Sequence, residues 1–220
     1  MKRIAITLFF WLSVTCLFAQ TVITPFRREI DAFKKKDSVQ MPASKSILLV
    51  GSSSFTKWVD MQDYFPGYPI INRGFGGSSL PDVIRYADEI IYPYHPKQII
   101  IYCGENDIAA SDTVSAPLVL QRFTQLFGMI RAHLGKVPVA FVSIKPSPSR
   151  WKSEPVFLEA NHLIKTFLRK QSRTKYINVH DAMLNADGSV KSELFVEDKL
   201  HMNAKGYEIW QRIMKPVLKS

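Results

Sequence analysis

Residues 46–53 read Ser-Ile-Leu-Leu-Val-Gly-Ser-Ser: a short aliphatic run stopped by a glycine and followed by hydroxyls. A run that is apolar at every position, rather than at alternate ones, suits a strand whose sheet is covered on both faces, as in parallel sheets between helices. The design recurs along the chain. Ile70-Ile71 ends in Asn72-Arg73-Gly74, Gln98–Cys103 ends in Gly104, Val137–Ser143 ends in Lys145-Pro146, and Tyr176–Val179 is a weaker fifth run. Between them, residues 80–91, 117–134, 155–170 and 204–218 carry helical patterns. Strand–helix alternation of this kind predicts a three-layer α/β/α sandwich around a central five-stranded, mainly parallel sheet. Upstream, Phe26, Ile30 and Phe33 recur at near-helical spacing, with Arg27, Arg28 and Lys34 to Lys36 on the other face. An amphipathic helix should therefore precede the sheet, joined to it by a polar connector containing Pro42.

With 220 residues, 46% hydrophobic and 22% charged, the chain can bury a real core and does not have a disordered composition. It contains no internal repeat and no low-complexity tract. Lys2 and Arg3, the apolar stretch from Ile4 to Phe18 and the small residue Ala19 predict a signal peptide over residues 1–19, with residues 20–220 as one exported domain. The stretch is too short and wrongly flanked for a stable membrane span. Cys16 admits a second route, acylation as a lipoprotein, which the bulk of Thr15 just before it disfavours. After cleavage Cys103 is the remaining cysteine, so no intramolecular disulfide is expected. Loss of Lys2 and Arg3 leaves +8 of the formal charge of +10. The basic residues are scattered and lack an interleaved aromatic motif, so nucleic acid is not an expected partner.

Ligands of open parallel sheets sit beyond the carboxyl ends of the strands. Ser53, the Gly74–Gly77 segment and Asn106 all follow directly after apolar runs, so three strand exits deliver polar groups to one edge. Far downstream, Asp198-Lys199-Leu200-His201 places an acid three residues before a histidine. Asp198 can take a hydrogen bond from one imidazole nitrogen and leave the other free to face a serine, which needs such a base before it can act as a nucleophile. Asn203 is a plausible N-cap for the last helix and would give the pair a rigid support. Among the other histidines, His180 alone also has an acid beside it, Asp181. Three donors could stabilise an oxyanion: the N–H of Ser53, the N–H of Gly77 and the side-chain amide of Asn106. Rival readings of the glycine segments fail on register. Ser79 stands where a dinucleotide fingerprint needs its third glycine, no lysine follows Gly51-Ser52-Ser53-Ser54 in P-loop register, and Phe55 replaces the last glycine of a nucleophile elbow.

In this order, Gly51-Ser52-Ser53, Gly74-Phe75-Gly76-Gly77, Gly104-Glu105-Asn106-Asp107 and Asp198-Lys199-Leu200-His201 resemble the four blocks of the SGNH hydrolase superfamily, the GDSL-type esterases and lipases. The resemblance spans most of the mature chain. It is nearest to exported bacterial members with Gly-Ser-Ser-Ser followed by Trp, here Trp58. It implies a flavodoxin-like fold and cofactor-free, metal-free hydrolysis of carboxylic esters. Ser53 would be the nucleophile, His201 the base, Asp198 its orienting acid, and Ser53, Gly77 and Asn106 the oxyanion hole. Ser52 stands where Asp is usual and Ser78 where Asp often follows the glycine, so Ser52 and Ser54 remain neighbours competing with Ser53.

Arg73, Phe75 and Lys145 could contact substrate. Arg73 could equally pair with an acid such as Asp107, and Trp58, Phe75 and Trp151 could wall a site or fill the core. Glu105 is expected to point outward, and Cys103 to be a small buried residue at a strand end. Export and the absence of an obvious apolar lid favour a small-molecule or glycan ester, especially O-acetyl on carbohydrate. A lipase or lysophospholipase, and a non-catalytic acyl-glycan-binding module, are the alternatives. The oligomeric state is not legible.

Overall fold

The computed structural model describes residues 24–219. The expected leader and Cys16 lie outside them. In chain order the elements are α1 (Arg27–Val39), β1 (Ile47–Gly51), α2 (Ser53–Thr56), α3 (Met61–Tyr64), β2 (Ile70–Gly74), α4 (Leu80–Arg85) and α5 (Ala87–Ile90). They continue as β3 (Gln98–Tyr102), α6 (Glu105–Ala109), α7 (Ala116–Leu134), β4 (Val139–Val142), α8 (Glu154–Arg169), β5 (Thr174–Ile177) and α9 (Ala204–Met214), with short 3₁₀ turns between some of them.

The five strands form one sheet in the order β2-β1-β3-β4-β5, every pair parallel. The apolar runs explain the layers. Alternate residues of a strand point to opposite faces, and here both sets are apolar. Leu48, Val50, Ile99, Ile101, Val139 and Phe141 enter one hydrophobic core with residues of α1, α4, α5, α7 and α8. Ile47, Leu49, Ile100, Tyr102, Ala140 and Val142 enter a second core with Phe55, Trp58 and the α9 residues Tyr207, Trp210 and Met214. Helix α8 shows the matching period: Phe157, Ala160, Asn161, Ile164 and Leu168 are its inward positions.

The observed elements depart from the sequence pattern where local chemistry intervenes. Strand β5 begins two residues before the expected Tyr176. It is an edge strand in which Lys175 is exposed, so it is not apolar throughout. Strand β2, the other edge, runs on through Asn72 and Arg73 to Gly74. Helix α9 stops at Met214 because Pro216 lacks an N–H and cannot continue it, and a 3₁₀ turn over Lys215–Val217 finishes the segment. The helix expected over 80–91 is broken at Tyr86, whose hydroxyl donates to the Pro25 carbonyl at 2.5 Å.

Strands β1 and β3 are neighbours from which the chain winds away in opposite directions. Their carboxyl ends therefore open a crevice, the place where doubly wound sheets bind ligands.

Candidate active site

Gly51, the last residue of β1, makes the turn into this crevice. Its φ of +135° and a virtual Cβ only 1.9 Å from the Tyr102 carbonyl oxygen leave room for no other residue. The turn is pinned on both sides: Ser52 N–H donates to the Tyr102 carbonyl at 3.0 Å, and the Gly51 carbonyl accepts from Phe75 N–H and Ser78 Oγ, both at 3.0 Å. The three serines that follow have separate fates. Ser52 and Ser54 are buried, whereas Ser53, first residue of α2, is half-buried and lines a cleft of about 370 Å³.

The second half of the site comes from the loop before α9. Asn203 caps α9, its Oδ1 accepting from Lys205 and Gly206 N–H at 3.0 and 3.4 Å. Its Nδ2 donates to the Glu193 carbonyl at 2.8 Å, which fixes the loop's approach. Lys199 takes a left-handed φ of 55°, and this lets the Asp198 carboxylate fold back on its own chain. Asp198 Oδ1 accepts from Leu200 and His201 N–H at 2.9 and 2.8 Å, and Oδ2 pairs with His201 Nδ1 at 2.6 Å. Partial burial opposes ionisation of Asp198, but the His201 ring and these two N–H groups outweigh it and hold the carboxyl well below its usual range. On the other side of the ring, His201 Nε2 lies 3.0 Å from Ser53 Oγ. Residues 148 apart in sequence thus share a hydrogen bond across the crevice.

Strands β2 and β3 bring the remaining groups. Gly77 lies beside Asn106, a virtual Cβ on it being 3.7 Å from Asn106 Nδ2. That amide donates to Ser52 Oγ at 2.6 Å and to the Ser78 carbonyl at 3.1 Å. Among the described residues no acceptor takes the N–H of Ser53 or Gly77. Asp107 sits behind the site, accepting from Leu80 N–H at 2.9 Å and from Arg122 at 2.8 Å, and so ties α4 and α7 to α6. Burial raises its carboxyl above the ordinary range, with those two bonds pulling the other way.

Ser53, Gly77, Asn106 and His201 all line the cleft, together with Gly76 and Leu200. Arg73, Phe75 and Lys145 do not. Arg73 is buried against Asp37 (2.5 Å) and the Tyr94 hydroxyl (2.7 Å), with the Phe33 ring over its guanidinium. Its acid partner is Asp37 and not Asp107, because β2 is an edge strand and Arg73 meets α1. Phe75 is fully buried, edge-on to Phe26 and Tyr86. Lys145 is buried against Glu105 at 3.2 Å, and burial lowers its ammonium pKa despite that pairing. Trp58 fills core space, stacked on Tyr207 with centroids 4.7 Å apart, whereas Trp151 is exposed. Cys103 is buried, and burial pushes its thiol pKa up.

The outward orientation expected of Glu105 is wrong. Its carboxylate is buried beneath the site, where Oε2 accepts from the Tyr102 hydroxyl and Oε1 faces both Lys145 and Arg150 (3.1 Å). Two cations and a phenol supply what a buried carboxylate requires. The cleft also holds Thr56, Lys57 and Arg150, of which Arg150 belongs to the loop of Lys145, Pro146, Ser147 and Arg150 that the sequence places at this sheet edge as able to shape the pocket. Thr56 and Lys57 lie three and four residues after Ser53, one helical turn on, a spacing that could have identified them.

A parallel sheet in 2-1-3-4-5 order is a three-layer α/β fold of flavodoxin-like topology, and here a hydroxyl, an imidazole and a carboxylate stand in line at its switch point. The sequence matches the model of the GDSL-like lipase/acylhydrolase family over residues 50–209, and the chain belongs to that family: it is a carboxylic ester hydrolase. No curated protein sequence matches it significantly. Similar solved structures include a Streptococcus pneumonia protein carrying the provisional name platelet activating factor, with TM-score 0.75 and 19% identity over 87% of this chain and 92% of that one. A GDSL-like lipase from Bacteroides thetaiotaomicron has TM-score 0.70 and 17% identity, covering 86% and 96%. An acetylxylan esterase from Geobacillus stearothermophilus has TM-score 0.61 and 12% identity, covering 81% and 96%. At these identities the likeness is one of fold.

Proposed function

We propose that the chain is an exported serine esterase that removes short acyl groups, O-acetyl on carbohydrate foremost, with residues 20–220 forming one catalytic domain. Ser53 Oγ attacks the ester carbonyl while His201 Nε2 takes its proton. Asp198 holds the ring in the tautomer with the proton on Nδ1 and balances the imidazolium that forms. The free N–H groups of Ser53 and Gly77 receive the oxyanion, and the amide of Asn106 joins them by giving up its hydrogen bond to Ser52 Oγ while keeping the one to the Ser78 carbonyl. His201 then protonates the leaving alcohol, and water attacks the acyl-enzyme by the reverse route. The observation that carries this reading is the unbroken chain from Asp198 Oδ2 to His201 Nδ1 (2.6 Å) and from His201 Nε2 to Ser53 Oγ (3.0 Å).

Leu200 is the one aliphatic side chain among the cleft-lining residues. A long acyl chain would find little apolar surface there, which favours acetyl over a lipid acyl group. Export rests on the n-region, apolar stretch and small residue of residues 1–19. The test is hydrolysis of 4-nitrophenyl acetate, butyrate and palmitate together with labelling by a fluorophosphonate probe. Activity should fall with chain length, and Ser53→Ala should remove both turnover and labelling. Turnover unchanged in Ser53→Ala would end the mechanism, and a profile rising toward palmitate would end the acetyl assignment.

A further inference from the structure

We propose that the cleft selects esters whose leaving alcohol carries an anionic group, with Arg150 as the specificity-determining residue and Lys57 as a second cation of the same cleft. The inference rests on the serine-esterase reading and concerns the substrate of that same site.

Two of the cleft-lining side chains, Lys57 and Arg150, are cationic and none is acidic. Asp198 is outside the lining, behind the His201 ring. Glu105 also has the buried Lys145 at 3.2 Å and the Tyr102 hydroxyl, so Arg150 is shared between that carboxylate and the cleft it lines. Glu105 therefore faces two cations, while the next carboxylate, Asp198, is taken up by the His201 ring and two backbone N–H groups. The Glu105 contact at 3.1 Å engages one end of the Arg150 guanidinium, whose side chain is 21% exposed. Among the described residues the Arg150 side chain makes no hydrogen bond, the Glu105 contact being an ion pair alone. A guanidinium that is largely withdrawn from solvent yet keeps open N–H donors is suited to a carboxylate, sulfate or phosphate, which it can bind in a fork.

Its position selects the leaving-group side. Ser149 N–H donates to the Lys199 carbonyl at 3.1 Å, which pins the turn bearing Arg150 to the loop that carries His201. The departing oxygen takes its proton from His201 Nε2, so the alcohol leaves past this turn. Lys57 stands one helical turn beyond Ser53, its N–H donating to the Ser53 carbonyl at 2.8 Å. It adds a mobile point charge rather than a fork.

The test compares 4-nitrophenyl acetate with 3-carboxy-4-nitrophenyl acetate, which carries the same acyl group and a carboxylate on the leaving phenol. The kcat/KM ratio is normalised to the ratio of their hydroxide-catalysed rates. The wild-type ratio should exceed one and fall as salt is raised. It should drop about tenfold or more in Arg150→Gln, the loss typical of a charge-assisted hydrogen bond, with partial rescue in Arg150→Lys. Lys57→Gln, at an exposed position, should give a smaller, salt-sensitive drop. Fluorophosphonate labelling of Ser53 verifies that each variant is folded. Acetylated polygalacturonate against acetylated xylan, and acetylglycerol phosphate against acetylglycerol, distinguish a sugar carboxylate from a phosphate as the natural anion. Preference for either anionic member supports the inference. A wild-type ratio at or below one, or a ratio unmoved in both folded variants, overturns it. If the wild type is neither labelled nor active on the neutral acetate, it is the serine-esterase reading that fails instead.

Discussion

Asp198→Asn should be the most informative single change, because its outcome is set by which oxygen does what. Asp198 Oδ1 accepts from two backbone N–H groups, at 2.9 and 2.8 Å, while Oδ2 faces His201 Nδ1 at 2.6 Å. An asparagine must put its carbonyl where Oδ1 stands, since the flipped amide would point its NH₂ at two backbone donors. That flip would cost both bonds, each about 1.5–3 kcal/mol for a charged acceptor and somewhat less for a neutral one. The NH₂ therefore faces Nδ1, which must give up its proton and become an acceptor. The ring proton moves to Nε2, where it points at Ser53 Oγ, and the base is lost although no heavy atom has shifted. In proteases with the same relay this wrong tautomer lowers kcat about 10⁴-fold, which is roughly 5.4 kcal/mol of barrier at 1.36 kcal/mol per decade. The assay is kcat for 4-nitrophenyl acetate at neutral pH, with the urea midpoint measured alongside. The midpoint should fall only modestly, because both backbone bonds survive but lose their charged acceptor at a half-exposed position. Turnover within tenfold of wild type in the folded variant would refute the assignment of His201 as base and Asp198 as its orienting group.

The other expectations are simpler. Gly51→Ala should abolish soluble expression or cost more than about 4 kcal/mol, given the 1.9 Å approach to the Tyr102 carbonyl, while Gly67→Ala, with nothing within 4 Å, should cost about 1 kcal/mol for its positive φ; similar urea midpoints for the two would contradict this. Asn106→Ala should lower kcat by about 10²–10³ with KM little changed, and Ser52→Ala should cost less, because the amide keeps its bond to the Ser78 carbonyl; equal losses would show that the Ser52 contact matters as much as the donor. His180 is buried, which disfavours its charge, yet its bonds to Glu154 and Asp181 prevail and its pKa is raised. A raised folded pKa means that the stabilisation is fully present below the unfolded histidine value of about 6.5 and disappears as pH rises through the folded one. The gap in urea midpoint between wild type and His180→Gln should therefore be widest near pH 6 and narrow by pH 9, and a pH-independent gap would count against the charged pair.

The apolar runs made the layers legible because both residue sets of each central strand are hydrophobic, and each set found its own core. The same rule misplaced β5 and the end of β2, since an edge strand has solvent or a helix on one side and tolerates Lys175 or Arg73 where a central strand would not. Ser53, Gly77, Asn106 and His201 could be read from strand exits and from the Asp198–His201 spacing, because backbone turns at a sheet edge leave a local signature. Which side chains fill the crevice could not be read that way. Arg73 near the end of β2 and Lys145 after β4 also carry charge at the same sheet edge, but pairing removes them from the site: Asp37 comes from α1 and Glu105 from the start of α6, partners that sequence distance conceals. Glu105 shows the same limit from the other side. An outward orientation is what its place as the variable residue of Gly104-Glu105-Asn106-Asp107 suggests, but the left-handed turn at Gly104 (φ +116°) begins α6 so that Asn106 lines the cleft and Glu105 is buried. Once Glu105 is inside, it requires cations, and the one that reaches it from the cleft side is Arg150. The charge character of the substrate site thus follows from the geometry of a glycine one strand away.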